Sequence, residues 1–275
     1  MVPPIGILTR NRAAYLDVTL RSLSDTLLPD NVAVRVFDDA SDCSVTREYY
    51  TEGGCVDLGY NWPVDDKWES RGFNILPTGV HPRETIGHKI DISVVQAPLG
   101  VVAASCSAVR SLFEMTGEDG VFLLQDDVVF NADWYLKMLN AVKRSKKFAP
   151  NGIGVLSGIK LNHKLRPKHG QIAVSSGITA QCLYITRRAF DTVPFLSSPP
   201  PVKMRFDDLL RRGVTNTGLW GGVIFPFVCQ HIGVSSLVRP HRKWVAGKRA
   251  RVGYYSSPPY AMSDTVRVFR KSSGN

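Results

Sequence analysis

The hydrophobic positions near the start of the chain predict a strand, a helix and a second strand. Ile5 to Leu8 is a short apolar run of the kind found in a strand buried on both faces of a sheet. Apolar residues then recur at helical spacing from Tyr15 to Leu27, and Pro29-Asp30-Asn31 ends that helix. Val32 to Phe37 alternates with β-branched residues and predicts the second strand. Such a unit predicts a parallel sheet in an α/β fold.

The same succession of elements returns after residue 90. Ile92 to Val95 predicts a strand, and Val101 to Met115 predicts a helix of small residues. Val121 to Leu124 is the strongest strand signal in the chain, and Asp133 to Val142 predicts a helix behind it. Residues 43 to 90 are rich in Gly, Pro, Trp and Asp, so we expect an irregular connection there.

The second half of the pattern is less regular. Gly154 to Ser157 predicts a strand, whereas Arg187 to Val193 and Phe206 to Arg212 predict short helices. The apolar run from Val223 to Cys229 ends at Gln230-His231.

Composition narrows the class of protein. With 44% hydrophobic residues the chain can bury a core, and no apolar run is long enough to span a bilayer. The N-terminus lacks the pattern of a secretion signal. The five cysteines are odd in number and scattered without Cys-x-x-Cys, which favours buried thiols in a reducing compartment. We therefore expect a cytoplasmic protein, and the oligomeric state is left open.

The net charge of +10 is concentrated at one end of the chain. Residues 1 to 208 hold 23 basic and 23 acidic residues, so this part is neutral. Residues 209 to 275 hold 11 basic residues and one acid, Asp264. The surplus predicts a polyanionic ligand for the end of the chain rather than for the whole surface.

Candidate chemistry lies where the predicted strands end. The polar clusters are Thr9 to Arg12, Asp38-Asp39 and Gln125-Asp126-Asp127. Because ligands of open α/β sheets bind outside the carboxyl ends of the strands, these clusters are expected to surround one crevice. The chain lacks Gly-x-Gly-x-x-Gly after its first strand and has no P-loop, which argues against a dinucleotide site and a P-loop enzyme.

The aspartate pairs allow more than one interpretation. Asp126-Asp127 suits Mg²⁺ or Mn²⁺ beside phosphate oxygens, or a turn or helix cap. Asp38-Asp39 can accept hydrogen bonds from a ribose or a base. Asp207-Asp208 begins a predicted helix, where acids favour the helix dipole, or provides a general base. His231 is a packed residue or a metal ligand that shares its ion with Asp127.

These clusters, in this order, resemble the glycosyltransferases of the GT-A fold. That family joins a nucleotide-binding α/β half, here residues 1–130, to an irregular acceptor half, here residues 131–238. Residues 239–275 form a basic, aromatic C-terminal segment. The resemblance implies nucleotide contacts at the following positions: Thr9, Arg10, Arg12, Asp38, Asp39 and Arg239.

The metal and catalytic positions come from the same resemblance. The segment VFLLQDDVVFNADWYLKML resembles the metal-binding strand of inverting N-acetylglucosaminyltransferases, with Gln125 in place of the first acid. This implies Mn²⁺ or Mg²⁺ on Asp127 and the donor ribose near Asp126. His231 corresponds to a late histidine that completes metal coordination. Asp208, with Asp207 as second choice, corresponds to the base of inverting members.

The implied reaction moves a sugar from a nucleotide-sugar donor, with UDP favoured, to an acceptor hydroxyl with inversion. The segment from Arg239 to Arg251 holds six Lys or Arg, a Trp and no acid. Cations interleaved with aromatic residues suit DNA, such as the hydroxymethylated bases that phage enzymes modify. They equally suit an anionic membrane with a lipid-linked saccharide, or the donor diphosphate itself under a closing lid. A protein acceptor is a further alternative. A nucleotidyltransferase and a non-catalytic binding protein are the alternatives from other classes.

Overall fold

The computed structural model describes residues 2–42, 90–159, 172–174, 178–199 and 204–231. The strands of this part of the chain are β1 (Ile5–Thr9), β2 (Val34–Asp38), β3 (Ile90–Val94), β4 (Gly120–Gln125), β5 (Val128–Phe130), β6 (Ile153–Ser157), β7 (Ile172–Val174), β8 (Cys182–Thr186), β9 (Trp220–Ile224) and β10 (Cys229–His231). The helices are α1 (Ala13–Ser24), α2 (Val101–Thr116), α3 (Trp134–Ser145), α4 (Arg187–Thr192), α5 (Pro194–Ser197) and α6 (Phe206–Asn216). The predicted irregular connection and the basic segment from Arg239 lie outside the described residues.

Eight of these strands form one mixed sheet in the order β3-β2-β1-β4-β8-β6-β9-β7. The first four are parallel to one another, and β9 is parallel to β6. β8 runs antiparallel to both β4 and β6, so β6 and β9 point the same way as β4. Six strands therefore share one direction, and β8 and β7 oppose it. The predicted α/β class with a mostly parallel sheet is confirmed.

Helices cover both faces of this sheet, and β4 shows why. Phe122 and Leu124 point into one hydrophobic core, which α1 and α3 complete. Val121 and Leu123 point into the other core, which α2 and α6 complete. Successive side chains of a strand face opposite sides, so a run of buried apolar residues requires cover on both. The structure is therefore a three-layer α/β/α arrangement.

Three features of the structure differ from the pattern predicted by the sequence. The first helix ends at Ser24, so the prediction that it reaches Leu27 is wrong. The Leu27 N–H donates instead to the Ala132 carbonyl at 2.7 Å, and the Leu27 side chain is 62% exposed. β8, which lies in the middle of the sheet, was not predicted. A second sheet, in which β10 pairs antiparallel with β5, was not predicted either.

Most of the predicted clusters share the carboxyl edge of the sheet. β1 and β2 end side by side, with Thr9 opposite Asp38, and Leu8 lies opposite Gln125 of β4. α6 packs on β9 and leads into it within four residues, so it runs antiparallel to β9. The first turn of α6 therefore lies at this same edge.

Candidate functional site

The turn between β4 and β5 holds Asp126 and Asp127, which are 2% and 3% exposed. A hydroxyl on α1 fixes the backbone of this turn. The Thr19 Oγ1 lies 2.7 Å from the Asp126 carbonyl oxygen and 2.9 Å from that of Val128, and it accepts the Val128 N–H at 3.1 Å. The Thr9 hydroxyl donates to Asp126 Oδ2 at 2.8 Å. The Asp126 carboxylate is thus held from β1, and the backbone of the turn is held from α1.

The guanidinium of Arg12 bridges the two carboxylates. Its Nη1 lies 2.8 Å from Asp126 Oδ1, and its Nη2 lies 2.7 Å from Asp127 Oδ2. On its other side, Arg12 Cζ lies 4.2 Å from the centre of the Tyr15 ring. The Arg12 side chain is 15% exposed. The contact with Asp127 is a charge-assisted hydrogen bond, which is stronger than a bond between neutral groups.

β10 brings His231 to the same carboxylates. Its antiparallel pairing places His231 opposite Val128, one residue beyond Asp127. The His231 Nε2 lies 3.0 Å from Asp127 Oδ2, the oxygen that also contacts Arg12. Arg12 and His231, which lie far apart in the sequence, therefore meet at the carboxylate of Asp127.

The two buried carboxylates differ in their affinity for protons. Burial raises the pKa of Asp126, and Arg12 offsets this in part. Burial also acts to raise the pKa of Asp127, but the combined charges and hydrogen bonds of His231 and Arg12 outweigh it and hold this pKa well below its usual range. Asp127 is therefore the carboxylate that stays ionised.

One oxygen of Asp127 has no partner among the described residues. Its Oδ1 is buried and has no hydrogen-bond partner within the described part of the chain. A buried anionic oxygen without a donor is costly, so it marks a place where a cation would bind favourably. No group of three or more His, Cys, Asp and Glu among the described residues could hold a metal ion by itself. The donor set fits Mg²⁺ or Mn²⁺ if phosphate oxygens and water supply the other ligands, as is usual for Mg²⁺.

Asp38 and Asp39 hold loops beside this turn. Asp38 Oδ1 accepts the Ser41 N–H at 2.6 Å. Asp39 accepts the N–H groups of Leu99 at 2.6 Å and Gly100 at 3.0 Å, which fixes the approach to α2. The Arg10 Nη1 lies 4.0 Å from Asp39 Oδ2, and the Arg10 side chain is 34% exposed at the edge.

Asp207 and Asp208 occupy the first turn of α6 at this edge. Burial raises the pKa of Asp207, which accepts the Asp208 N–H at 3.0 Å. Asp208 is more exposed, and a hydrogen bond from Arg205, 3.0 Å long, lowers the pKa of Asp208. Within the described residues, no hydrogen bond or ion pair joins them to Asp127.

Two polar residues of the site were not singled out from the sequence. Thr19 lies on the buried face of α1, between Leu16 and Leu20, and a polar residue at an apolar position is the signal that identifies it. Gln181 precedes β8, and its carbonyl accepts the Gln125 N–H at 2.9 Å. Its side-chain Oε1 is buried without a hydrogen-bond partner among the described residues. Gln181 lies beside the end of β4, next to the aspartate pair.

Comparison with solved structures finds TarS from S. aureus. One TarS structure matches 81% of this chain at 15% identity with a TM-score of 0.49, and 35% of the TarS chain is covered. The structure of TarS 1–349 matches at 15% identity with a TM-score of 0.49, and 58% of its chain is covered. The structure of TarS 1–349 in complex with UDP-GlcNAc matches at 14% identity with a TM-score of 0.46, and 56% of its chain is covered. The chain spans less than two thirds of each of these structures.

No protein family and no curated protein matches the sequence. Among the described residues, no helix combines the length and the apolar character needed to cross a bilayer.

Proposed function

We propose that this protein is a metal-dependent glycosyltransferase of the GT-A type, which transfers a sugar from a nucleotide-diphosphate donor to an acceptor hydroxyl. The observation that carries the proposal is the cluster of Arg12, Asp126, Asp127 and His231 at the carboxyl edge of the sheet. Buried carboxylates, a histidine and a guanidinium suit a diphosphate with a bound cation. β1 and β2 end side by side at the same edge, which is where open α/β sheets bind their ligands.

Asp127, through its Oδ1, and His231 would hold Mn²⁺ or Mg²⁺. When bound, this cation neutralises the diphosphate and makes it a better leaving group. Thr9 and Thr19 support the reaction by fixing Asp126 and the turn. Arg10 is a partly exposed cation at the edge, and it would add positive charge beside the diphosphate.

Asp208 is our first candidate for the general base, with Asp207 second. The base takes the proton of the acceptor hydroxyl while its oxygen bonds to the anomeric carbon. The bond from that carbon to the diphosphate oxygen breaks on the opposite face, so the product has inverted configuration. The position of α6 at the carboxyl edge supports this role, since base and donor then share one crevice.

Release of nucleoside diphosphate tests the proposal. The protein is incubated with UDP-, GDP- and TDP-sugars, with Mn²⁺ and after chelation, beginning with UDP-N-acetylglucosamine. We expect slow hydrolysis of at least one donor that requires the cation and falls at least about a hundredfold in Asp127→Asn. Binding without turnover of any donor would favour a non-catalytic binding protein. Release of pyrophosphate from nucleoside triphosphates would favour a nucleotidyltransferase instead.

For the acceptor, we propose a hydroxymethylated base in DNA, as in phage DNA. The support is the sequence from Arg239 to Arg251, in which basic and aromatic residues are interleaved without an acid. The test offers radiolabelled donor together with hydroxymethylated duplex, unmodified duplex, or vesicles that carry a lipid-linked saccharide. Label in the hydroxymethylated duplex alone supports DNA as the acceptor. Label in the lipid fraction assigns the same segment to a membrane acceptor.

A further inference from the structure

Arg12 places a positive charge between the two carboxylates. Its guanidinium contacts both carboxylates at 2.8 and 2.7 Å, and the Tyr15 ring supports it from the other side. Its side chain is 15% exposed, so solvent screens these charges little. The two carboxylates are therefore partly neutralised by the protein itself.

The oxygens of Asp127 show how the guanidinium and a cation would meet. Oδ2 already contacts both Arg12 and His231, while Oδ1 is buried without a partner among the described residues. A cation bound at Oδ1 shares its carboxylate with the guanidinium on Oδ2. Because like charges at such short range repel strongly where water is excluded, each weakens the binding of the other.

We propose that Arg12 is a built-in competitor of the divalent cation, which lowers the affinity of the carboxylate pair for metal and is released towards the donor diphosphate when metal binds. The proposal rests on the proposed function, since it takes the cation and the diphosphate from there. It adds a residue that links the two ligands. A guanidinium suits both sites, because carboxylates and phosphates present similar pairs of oxygens to its parallel N–H groups.

A purely structural role for Arg12 makes the opposite prediction. If Arg12 only holds the turn together, its removal leaves two buried carboxylates in mutual repulsion and a disordered site, so metal binding weakens or stays the same. If Arg12 competes, its removal strengthens metal binding. The sign of the change therefore distinguishes the two roles.

The experiment measures binding of Mn²⁺ alone to the full chain, by calorimetry and by the electron paramagnetic resonance signal of free Mn²⁺. Arg12→Gln is compared with the wild type, and Arg12→Lys keeps the charge. Arg21→Gln is the matched control, because Arg21 pairs with Asp17 on the same helix at 2.7 Å, apart from the carboxylate pair. We expect the Kd for Mn²⁺ to fall at least about tenfold in Arg12→Gln and to change less than about threefold in the other two variants.

A second measurement examines the donor side. At saturating Mn²⁺, UDP should bind at least about tenfold more weakly to Arg12→Gln than to the wild type, because a guanidinium–phosphate contact is lost. Competition predicts that Arg12→Gln binds Mn²⁺ more tightly and UDP more weakly than the wild type. Unchanged or weaker Mn²⁺ binding by a folded Arg12→Gln overturns the inference, as does the absence of Mn²⁺ binding in all variants.

Tyr15→Leu keeps the inference testable if Arg12→Gln fails to fold. This change removes the ring beneath the guanidinium and leaves the ion pairs in place, so the Kd for Mn²⁺ should fall by a smaller factor, about threefold. Failure of the inference is also distinct from failure of the proposed function. If the wild type hydrolyses a donor but Arg12→Gln does not bind Mn²⁺ more tightly, only the inference is wrong. If Arg12→Gln binds Mn²⁺ more tightly but no donor is hydrolysed, only the proposed function is wrong.

Discussion

The two aspartates at the start of α6 have opposite environments, so a pH profile can distinguish them as candidates for the proposed general base. Burial raises the pKa of Asp207, whereas the hydrogen bond from Arg205 lowers that of Asp208. A base must be unprotonated to act, so the activity falls with decreasing pH through the pKa of the base. With Asp208 as base, the acid limb of the rate profile should lie below the usual aspartate range.

We therefore predict that Asp208→Asn lowers kcat by about 10²- to 10⁴-fold, the usual contribution of a general base. Asp207→Asn is the matched control and should change kcat much less. The measurement is kcat against pH for both variants and the wild type. An acid limb above the usual aspartate range, together with a larger loss in Asp207→Asn, would assign the base to Asp207.

Gln181 presents a buried acceptor beside the end of β4, and this oxygen has no partner among the described residues. We expect such a group to receive a donor from a ligand. Its neighbour Gln125 leads directly to the aspartate pair, so a hydroxyl of the transferred sugar is the natural partner. We predict that Gln181→Leu raises KM for the donor about tenfold, the cost of one lost hydrogen bond to a neutral group.

The stability of Gln181→Leu separates binding from a structural role. Removing this buried oxygen should leave the melting temperature unchanged or raise it, since no hydrogen bond from the described residues to this oxygen is lost. Donor KM and thermal unfolding are measured on the same preparation. A clear loss of stability with an unchanged KM would show that Gln181 serves the fold.

At the scale of elements, the contact between α1 and the β4–β5 turn depends on one hydroxyl, that of Thr19. Thr19 satisfies the Val128 N–H and contacts two carbonyl oxygens. Thr19→Val keeps the shape and leaves these buried groups unpaired, so we predict a loss of about 2 kcal/mol or more in the free energy of unfolding. Denaturant unfolding measures it.

Two comparisons make the Thr19 prediction specific. Thr19→Ser keeps the hydroxyl and should retain most of the stability. Thr192→Val removes an exposed hydroxyl that donates to the Arg188 carbonyl within α4, and it should cost less than about 0.5 kcal/mol. If Thr19→Val is as stable as Thr192→Val, Thr19 does not hold this contact.

The predictability of the elements from sequence depended on whether each signal is local. β1, α1 and β2 have clear periods and breaks, so they were found, and α1 was extended too far at Leu27. β8 was missed because Thr186 is both its last residue and the N-cap of α4, where its hydroxyl accepts the Ala189 N–H. No glycine or proline separates that strand from the helix.

The site shows the same limit. The carboxyl ends of the strands pointed to the aspartates, because parallel strands finish at one edge. The bridge from Arg12 to Asp126 and Asp127 spans more than a hundred residues, and no local pattern encodes it. Thr19 and Gln181 were likewise missed, since their importance arises from groups that other elements bring to them.

For the whole molecule, charge divides the chain into a neutral part and a basic part. Residues 1 to 208 carry balanced charge and include Arg12, Asp126, Asp127 and the α6 aspartates. The surplus of ten positive charges follows them and is densest from Arg239 onward. A binding contribution of the basic segment should therefore be separable from the chemistry at the sheet edge.

We predict that deletion of residues 239–275 abolishes salt-dependent binding to duplex DNA. Each phosphate contact that is lost should reduce the slope of log Kobs against log[salt] by about 0.9. Deletion of residues 252–275 alone is the matched control, because it retains the six basic residues from Arg239 to Arg251 and should keep most of the slope. Fluorescence anisotropy with a labelled duplex at several salt concentrations measures both.

If the longer deletion instead raises KM for the donor and leaves DNA binding unchanged, the segment serves the diphosphate. If it abolishes binding to anionic vesicles alone, the segment serves a membrane surface.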